Sequence, residues 1–94
     1  MAISIVELEK RLIEAKIPHE LTSLFDGYKI SYPNDEDWIG DVVCHSFSLG
    51  YETGLMEAYG FDIPNNDVRG YLTVEDAFGY FQKAYSGSMN VLCR

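Results

Sequence analysis

The sequence predicts an α+β domain with an antiparallel sheet of three or four strands, and with N- and C-terminal helices packed on one face (order α-β-β-β-α-β-α). Apolar residues recur with helical spacing near both ends, in residues 4–17 and 73–86. Between these segments, alternating apolar and polar residues are separated by turn residues, which is typical of strands. Ninety-four residues, 47% of them hydrophobic, suffice for one core. We expect one compact domain over residues 1–87 and a loose tail over 88–94.

The N-terminal segment predicts a helix followed by a β-hairpin. Ser4 and Glu7 have the spacing of a capping box, and Pro18 ends the helix because it lacks a backbone donor. The residues that share the apolar stripe of this helix are Ile5, Leu8, Leu12 and Ala15. Residues 19–25 and 28–32 then alternate as two strands, and Asp26-Gly27 between them is a strong hairpin signal.

The centre of the chain predicts a third strand over residues 41–46 and a short helix over 55–59. Gly60 is suited to end that helix, because glycine adopts left-handed conformations without strain. Residues 68–72 alternate as a short fourth strand at an edge of the sheet.

The last helix is predicted to begin after Thr73, with Asp76 completing a variant capping box, and to end at Gly87. Its apolar stripe consists of Val74, Ala77, Phe78, Phe81 and Tyr85. Tyr80 falls off this stripe, so we expect it to be exposed.

His45 is the natural candidate for catalysis, yet the sequence completes no catalytic set around it. Cys44 is its neighbour on a strand, so the two side chains point to opposite faces and cannot act as nucleophile and base. Ser46 or Ser48 would need an orienting acid and an oxyanion hole, and no Gly-x-Ser-x-Gly motif is present. We therefore predict no enzyme and no catalytic residue; a small hydrolase based on His45 and Ser46 is an alternative.

Metal and cofactor sites are not predicted. Cys44, Cys93, His19 and His45 lack the spacing of a zinc site, and two thiols in a reducing compartment are expected instead. The run Asp35-Glu36-Asp37 lacks the ligand spacing and closing glutamate of a calcium loop.

The acidic excess is concentrated in one part of the chain. The net charge is −8, and residues 35–76 hold ten acids against one base, Arg69. Such a segment repels nucleic-acid phosphates and anionic membranes, and it suits a basic protein surface. The alternative is that these charges only keep the protein in solution. No apolar run reaches the ~18 residues of a membrane span, and the N-terminus does not resemble a signal peptide, so we expect a cytoplasmic protein.

We predict that the acidic segment binds a partner protein. Trp38 follows three adjacent acids. A tryptophan is more often buried in the core, but an aromatic beside carboxylates is also typical of an interface anchor. The predicted partner-binding residues are Asp35, Glu36, Asp37, Trp38, Asp41, Glu52, Glu57, Asp62 and Asp67.

Four short motifs occur in order along the chain: Phe25-Asp26-Gly27-Tyr28, His45-Ser46-Phe47-Ser48-Leu49-Gly50, Gly54-Leu55-Met56-Glu57 and Gly70-Tyr71-Leu72-Thr73-Val74-Glu75-Asp76-Ala77-Phe78. In this order they resemble small uncharacterised proteins encoded by prophages and mobile elements of Gram-positive bacteria. The resemblance spans about residues 4–82 and departs from the pattern over Phe61 to Arg69. No activity is established for that group, so the resemblance carries over no catalytic residue.

The resemblance implies a bacterial host cell as the setting. By analogy with anti-CRISPR and other anti-defence proteins, several of which mimic nucleic acids, it favours an inhibitor that docks on the basic surface of a nucleic-acid-binding host protein. One alternative is a binder of a nucleotide signal, with His45, Ser46, Ser48 and Tyr51 as polar contacts. Another is a structural or regulatory phage protein, for which a homodimer would be expected.

Overall fold

The computed structural model describes the backbone of residues 3–92 and the side chains of residues 4–65 and 67–87. It has two helices and a five-stranded antiparallel sheet in the sequential order β1-β2-β3-β4-β5. The elements are α1 (Ile3–Glu14), β1 (Glu20–Leu24), β2 (Gly27–Tyr32), β3 (Gly40–Cys44), β4 (Met56–Gly60), β5 (Val68–Leu72) and α2 (Val74–Leu92), with short 3₁₀ turns at Tyr51–Thr53 and Pro64–Asn66.

The prediction of an α+β fold is confirmed, whereas the predicted number of strands was too low. The segment 55–59 was predicted to be a helix, and it contains strand β4 instead. Its residues have good helix propensity, but pairing with β3 overrides that preference, with Val42 opposite Ala58 and Val43 opposite Glu57. Met56 and Ala58 are fully buried while Glu57 and Tyr59 face away from the core, which is the two-residue period of a strand.

The first hairpin is confirmed, with its turn shifted by one residue. Leu24 pairs with Gly27, so Phe25 and Asp26 form the two-residue turn, and Phe25 has a positive φ of 56°. Gly27 lies in β2 against β3, where a Cβ would come within 1.8 Å of the Cys44 carbonyl oxygen. The sequence pattern located the hairpin correctly but not the residue that carries the unusual backbone angle.

Both helices pack on the same face of the sheet and against each other. The fully buried residues that join the two layers are Ile5, Leu8 and Leu12 of α1, Ala77 and Phe81 of α2, and Ile30, Val42, Cys44, Met56 and Ala58 of the sheet. The predicted apolar stripes are therefore confirmed, except that Ala15 is exposed beyond the end of α1. Ser4 does not cap α1 from outside, because the helix begins at Ile3; its hydroxyl donates a hydrogen bond to the Gly54 carbonyl.

Helix α2 begins with the predicted capping box. The Asp76 amide donates to the Thr73 hydroxyl at 3.2 Å, and the Thr73 amide donates to the Asp76 carboxylate at 3.3 Å. The helix continues past Gly87 to Leu92, so Gly87 does not end it. Residues 93–94 of the predicted tail lie outside the described residues. Tyr80 was expected to be exposed, but it is half-buried, with its ring 5.6 Å from that of Phe61.

Neither of the helices described within residues 3–92 has the length and apolar character needed to cross a membrane.

Gly79 allows a test of how much the low helix propensity of glycine reduces the free energy of unfolding. It is exposed in the middle of α2, and a Cβ at this position would meet no atom within 4 Å. We expect Gly79→Ala to raise the free energy of unfolding by about 0.5–1 kcal/mol, because alanine loses less backbone entropy in a helix. Urea unfolding followed by circular dichroism measures this change; a lower denaturation midpoint would contradict the expectation.

Candidate protein-binding site at the acidic end of the sheet

One end of the sheet holds carboxylates from two strands and two loops. Because the strands are antiparallel neighbours, β2 and β4 end where β3 and β5 begin. The loops 33–39 and 61–67 leave the sheet at this end, and β1 also begins there with Glu20. We define the acidic end as Glu20, Asp35, Glu36, Asp37, Trp38, Ile39, Asp41, Tyr59, Asp62 and Asp67.

The loop 33–39 is held in place at both of its ends. The Ile39 amide donates to the Tyr32 carbonyl at 2.8 Å, and the Phe61 amide donates to the Ile39 carbonyl at 3.1 Å. Within the loop, the Asp37 amide donates to the side-chain oxygen of Asn34 at 2.7 Å. The loop therefore presents its acids from a fixed backbone.

Asp35 anchors this loop to the face of the sheet that the helices leave uncovered. Its carboxylate accepts a hydrogen bond from the fully buried Ser31 hydroxyl and lies 3.2 Å from the Lys29 ammonium. These two contacts lower the pKa of Asp35, the Ser31 hydrogen bond first. The Asp35 amide also donates to the Glu20 carboxylate at 3.0 Å. Asp35 is thus committed to internal contacts, whereas Glu36 and Asp37 are exposed at the tip.

Trp38 is an exposed aromatic fixed by its neighbours. Its side chain is 40% exposed, its ring lies 5.6 Å from that of Tyr59, and its indole N–H donates to Asp41 at 2.9 Å. Gly60 lies against this ring, since a Cβ there would come 3.0 Å from it. The expectation that Trp38 belongs to the core is therefore wrong, because the side chain is exposed. Ile39, 45% exposed, extends the apolar surface beside it.

The environment of Asp41 disfavours the ionised form of its carboxyl group. Partial burial raises its pKa, the Trp38 hydrogen bond and Lys29 oppose the rise, and the negative charges of Asp35 and Glu57 add to it. In the folded protein the ionised form of Asp41 is therefore disfavoured, and its ionisation reduces stability above its folded pKa.

We expect Asp41→Asn to stabilise the fold at neutral and higher pH. The amide oxygen of asparagine still accepts the Trp38 N–H, while the partly buried charge and its repulsion from Asp35 and Glu57 disappear. Because ionisation of the aspartate causes the cost, the advantage of the variant should shrink as the pH falls through the folded pKa of Asp41. Urea unfolding midpoints of both proteins between pH 8 and about pH 4 measure this trend.

Asp62→Asn is the matched control for this experiment, because it removes an exposed charge from the same end of the sheet. An Asp41→Asn variant that is less stable than the parent at pH 8 would contradict the burial argument.

The structure brings together most of the predicted partner-binding residues, but not all of them. Asp62 and Asp67 come from the 61–67 loop, where the Asp67 carboxylate lies 3.7 Å from the Arg69 guanidinium. Glu57 lies farther along the uncovered face and accepts the Leu49 amide at 2.8 Å. Glu52 lies at the opposite end of the sheet, in the first 3₁₀ turn, and does not belong to this site.

Sequence reasoning missed Glu20, Tyr59 and Ile39. Glu20 is distant in sequence from the acidic segment and reaches it only through the β1–β2 pairing, with Glu20 opposite Ser31. Tyr59 was assigned to a helix, so its alternation with Ala58 was overlooked; the two-residue period of Met56 to Tyr59 was the available signal.

The side chains around His45 are engaged in local structure. His45 Nδ1 accepts the Phe47 amide at 3.1 Å, and the Ser48 hydroxyl donates to the His45 carbonyl at 2.8 Å. The Ser46 amide donates to Asp26 at 2.9 Å, and this hydrogen bond is the main cause that lowers the pKa of Asp26. Burial raises the pKa of the Cys44 thiol, which disfavours its reactive thiolate.

Within the described parts of residues 3–92, no three histidine, cysteine or acidic side chains are grouped so that they could hold a metal ion. Cys93 lies outside the described residues. When the chain is compared with known proteins, no family model, no curated protein and no solved structure matches it.

Proposed function

We propose that this protein is a non-enzymatic binding protein that places its acidic end on a basic, nucleic-acid-binding surface of another protein. The observation that carries the proposal is that carboxylates from two loops and two strands lie at the same end of the sheet as an exposed, fixed tryptophan. Lysines and arginines that bind phosphates would accept such carboxylates in their place.

The balance of charge at the acidic end supports this proposal. Among the described residues of the strands and loops that form this end, Lys29 and Arg69 are the cations, and both already lie beside aspartates. Glu36, Asp37 and Asp62 are exposed, so their charge is available to a partner. Trp38, Tyr59 and Ile39 add apolar area next to them, and interfaces depend mostly on a few such anchors.

The proposed biological role is inhibition of that partner, in the manner of phage anti-defence proteins. It rests on the resemblance to proteins of prophages and mobile elements, together with the charge of the site. A protein that covers a nucleic-acid-binding surface competes with the nucleic acid for it, and the competition should weaken as salt screens the charges.

A charge-matched pair of variants tests the proposal. In Glu36→Gln/Asp37→Asn/Asp62→Asn, the acidic end loses three exposed charges, while Asp35 and Asp41 keep their internal contacts. In the control Glu7→Gln/Glu14→Gln/Glu75→Gln, three exposed charges are removed at positions outside both ends of the sheet, so the net charge of both variants is equal. Circular dichroism checks that both variants fold.

The measurement is affinity capture of the tagged proteins from a Gram-positive host lysate at low and high salt. We expect the parent and the control to retain a nucleic-acid-binding protein. High salt should weaken its binding, and added DNA or RNA should displace it. The acidic-end variant should retain at least about tenfold less of this partner, which is equivalent to a loss of about 1.4 kcal/mol in binding free energy. Equal retention by both variants, or equal loss in both, would overturn the assignment to the acidic end.

A further inference from the structure

A small pocket lies at the opposite end of the sheet from the acidic end. The loop between β3 and β4, together with β5, lines a cavity of about 270 Å³ that is open to solvent. Its lining includes Tyr51, Glu52 and Thr53 of the 3₁₀ turn, Ser48, and Tyr71 of β5. This volume is below the ~300 Å³ at which pockets begin to hold drug-sized ligands, so it fits a group the size of one side chain.

The pocket is formed by a fixed loop. The Gly50 carbonyl accepts hydrogen bonds from the Thr53 amide at 3.1 Å, the Thr53 hydroxyl at 3.0 Å and the Leu55 amide at 2.9 Å. Gly50 has a φ of 94°, and a Cβ there would come within 3.0 Å of Tyr71 Cα. The loop therefore packs closely against β5, and the cavity exists without any rearrangement.

The lining selects against anions. Glu52 carries the single formal charge among the side chains that line the cavity, and it is exposed to solvent. The Ser48 hydroxyl accepts the His45 amide and donates to the His45 carbonyl, and the Thr53 hydroxyl donates to Gly50. Because these hydroxyls are engaged in hydrogen bonds within the loop, they are not available as donors to a phosphate. The pocket therefore does not suit a nucleotide signal.

Two aromatic residues line the cavity together with Glu52. Tyr51 is half-buried, and Tyr71 is 62% exposed. Tyr71 has a φ of 58°, which is strained for a bulky residue, at the point where the β4–β5 register shifts. A carboxylate beside tyrosine rings is the combination that proteins use to bind guanidinium and ammonium groups, through charge pairing and cation–π attraction.

We propose that this pocket binds one organic cation, a guanidinium or alkylammonium group, with Glu52 as counter-ion and Tyr51 and Tyr71 as aromatic walls. The cation comes either from an arginine or lysine side chain of a protein or from a free small polyamine. The site shares no residue with the acidic end, so it stands independently of the docking function proposed above.

Titration of the ¹⁵N-labelled protein, followed by two-dimensional NMR, tests the pocket with defined probes. N-acetyl-arginine amide and putrescine represent the two sources of the cation, and N-acetyl-citrulline amide is the neutral control of the same shape. We expect saturable shifts at residues 48–54 and 71, with a Kd of about 1–10 mM. Tighter binding of the arginine derivative identifies a protein side chain as the ligand, and tighter binding of putrescine identifies a free cation.

Three variants separate this site from general attraction to an acidic protein. Glu52→Gln and Tyr71→Leu should each weaken binding at least about tenfold, whereas Asp62→Asn at the acidic end should leave it unchanged. The proposal is overturned if the citrulline derivative binds as well as the arginine derivative, if no saturable shift occurs in the loop, or if Asp62→Asn weakens binding as much as Glu52→Gln.

Discussion

Replacing Phe81 with alanine is expected to lower the free energy of unfolding by about 3–5 kcal/mol. Phe81 is fully buried in α2, and its ring lies 5.0 Å from that of Phe61 and 6.2 Å from that of Tyr32. The truncation removes apolar contacts between the helical layer and the sheet and leaves a cavity that neighbouring rings fill only in part. A domain of this size has a free energy of unfolding of only about 5–10 kcal/mol, so the variant should reach its unfolding midpoint at a low urea concentration.

Urea unfolding followed by circular dichroism measures this loss, with Phe47→Ala as the matched control. Phe47 is 76% exposed, so the same truncation there should change stability by no more than about 0.5 kcal/mol. The midpoint of the Phe81 variant should fall without a change in the slope of the transition. Similar midpoints for both variants would show that the two helices do not stabilise the sheet through this residue.

Replacing Gly60 with alanine is expected to lower the free energy of unfolding by about 2–5 kcal/mol and to disturb the acidic end. Gly60 has a φ of 85°, which costs an alanine about 1–2 kcal/mol. A Cβ there would lie 2.5 Å from the Ile39 carbonyl oxygen and 2.7 Å from Gly40 Cα, and relieving this overlap adds about 1–3 kcal/mol. Both neighbours are backbone atoms, so the strand ends themselves must move.

The Gly60 variant should change a local property, the fluorescence of Trp38, as well as the overall stability. Trp38 is the only tryptophan of the chain and lies over Gly60, so intrinsic fluorescence reports on this site alone. We expect a shift of the Trp38 emission maximum in the folded Gly60→Ala protein, because the ring loses its position against Tyr59. Gly79→Ala is the control: the same substitution should leave the emission unchanged and raise stability. An unchanged spectrum for the Gly60 variant would mean that Gly60 does not position Trp38.

The two proposed binding sites occupy opposite ends of one sheet. The acidic end combines exposed carboxylates with Trp38, whereas the pocket at the opposite end is lined by Glu52, Tyr51 and Tyr71. Both would recognise positive charge, the first over a surface and the second one group at a time. Their residues do not overlap, so variants at each end can be tested separately in the same protein.

Local features of the sequence determined the elements that depend on near neighbours. The capping pair Thr73 and Asp76 and the apolar stripes of the two helices were predictable because hydrogen bonds and side-chain contacts within one helix join residues three or four positions apart. The first hairpin was predictable for a similar reason, since its turn brings together residues that are close in the chain. The concentration of acids between residues 35 and 76 was equally visible in the sequence.

Tertiary structure alone decided which of those acids meet. The segment Met56 to Gly60 is a strand because β3 supplies its hydrogen-bonding partners, a contact that helix propensity does not encode. That pairing brings Tyr59 to Trp38 and places the loops of Asp37 and Asp62 at the same end of the sheet, while Glu52 is left at the other end. Pairing of β1 with β2 likewise brings Glu20 into the site. Sequence determined how much negative charge the protein carries, and strand order and register decided where that charge lies, because antiparallel pairing places loops distant in sequence at the same edge.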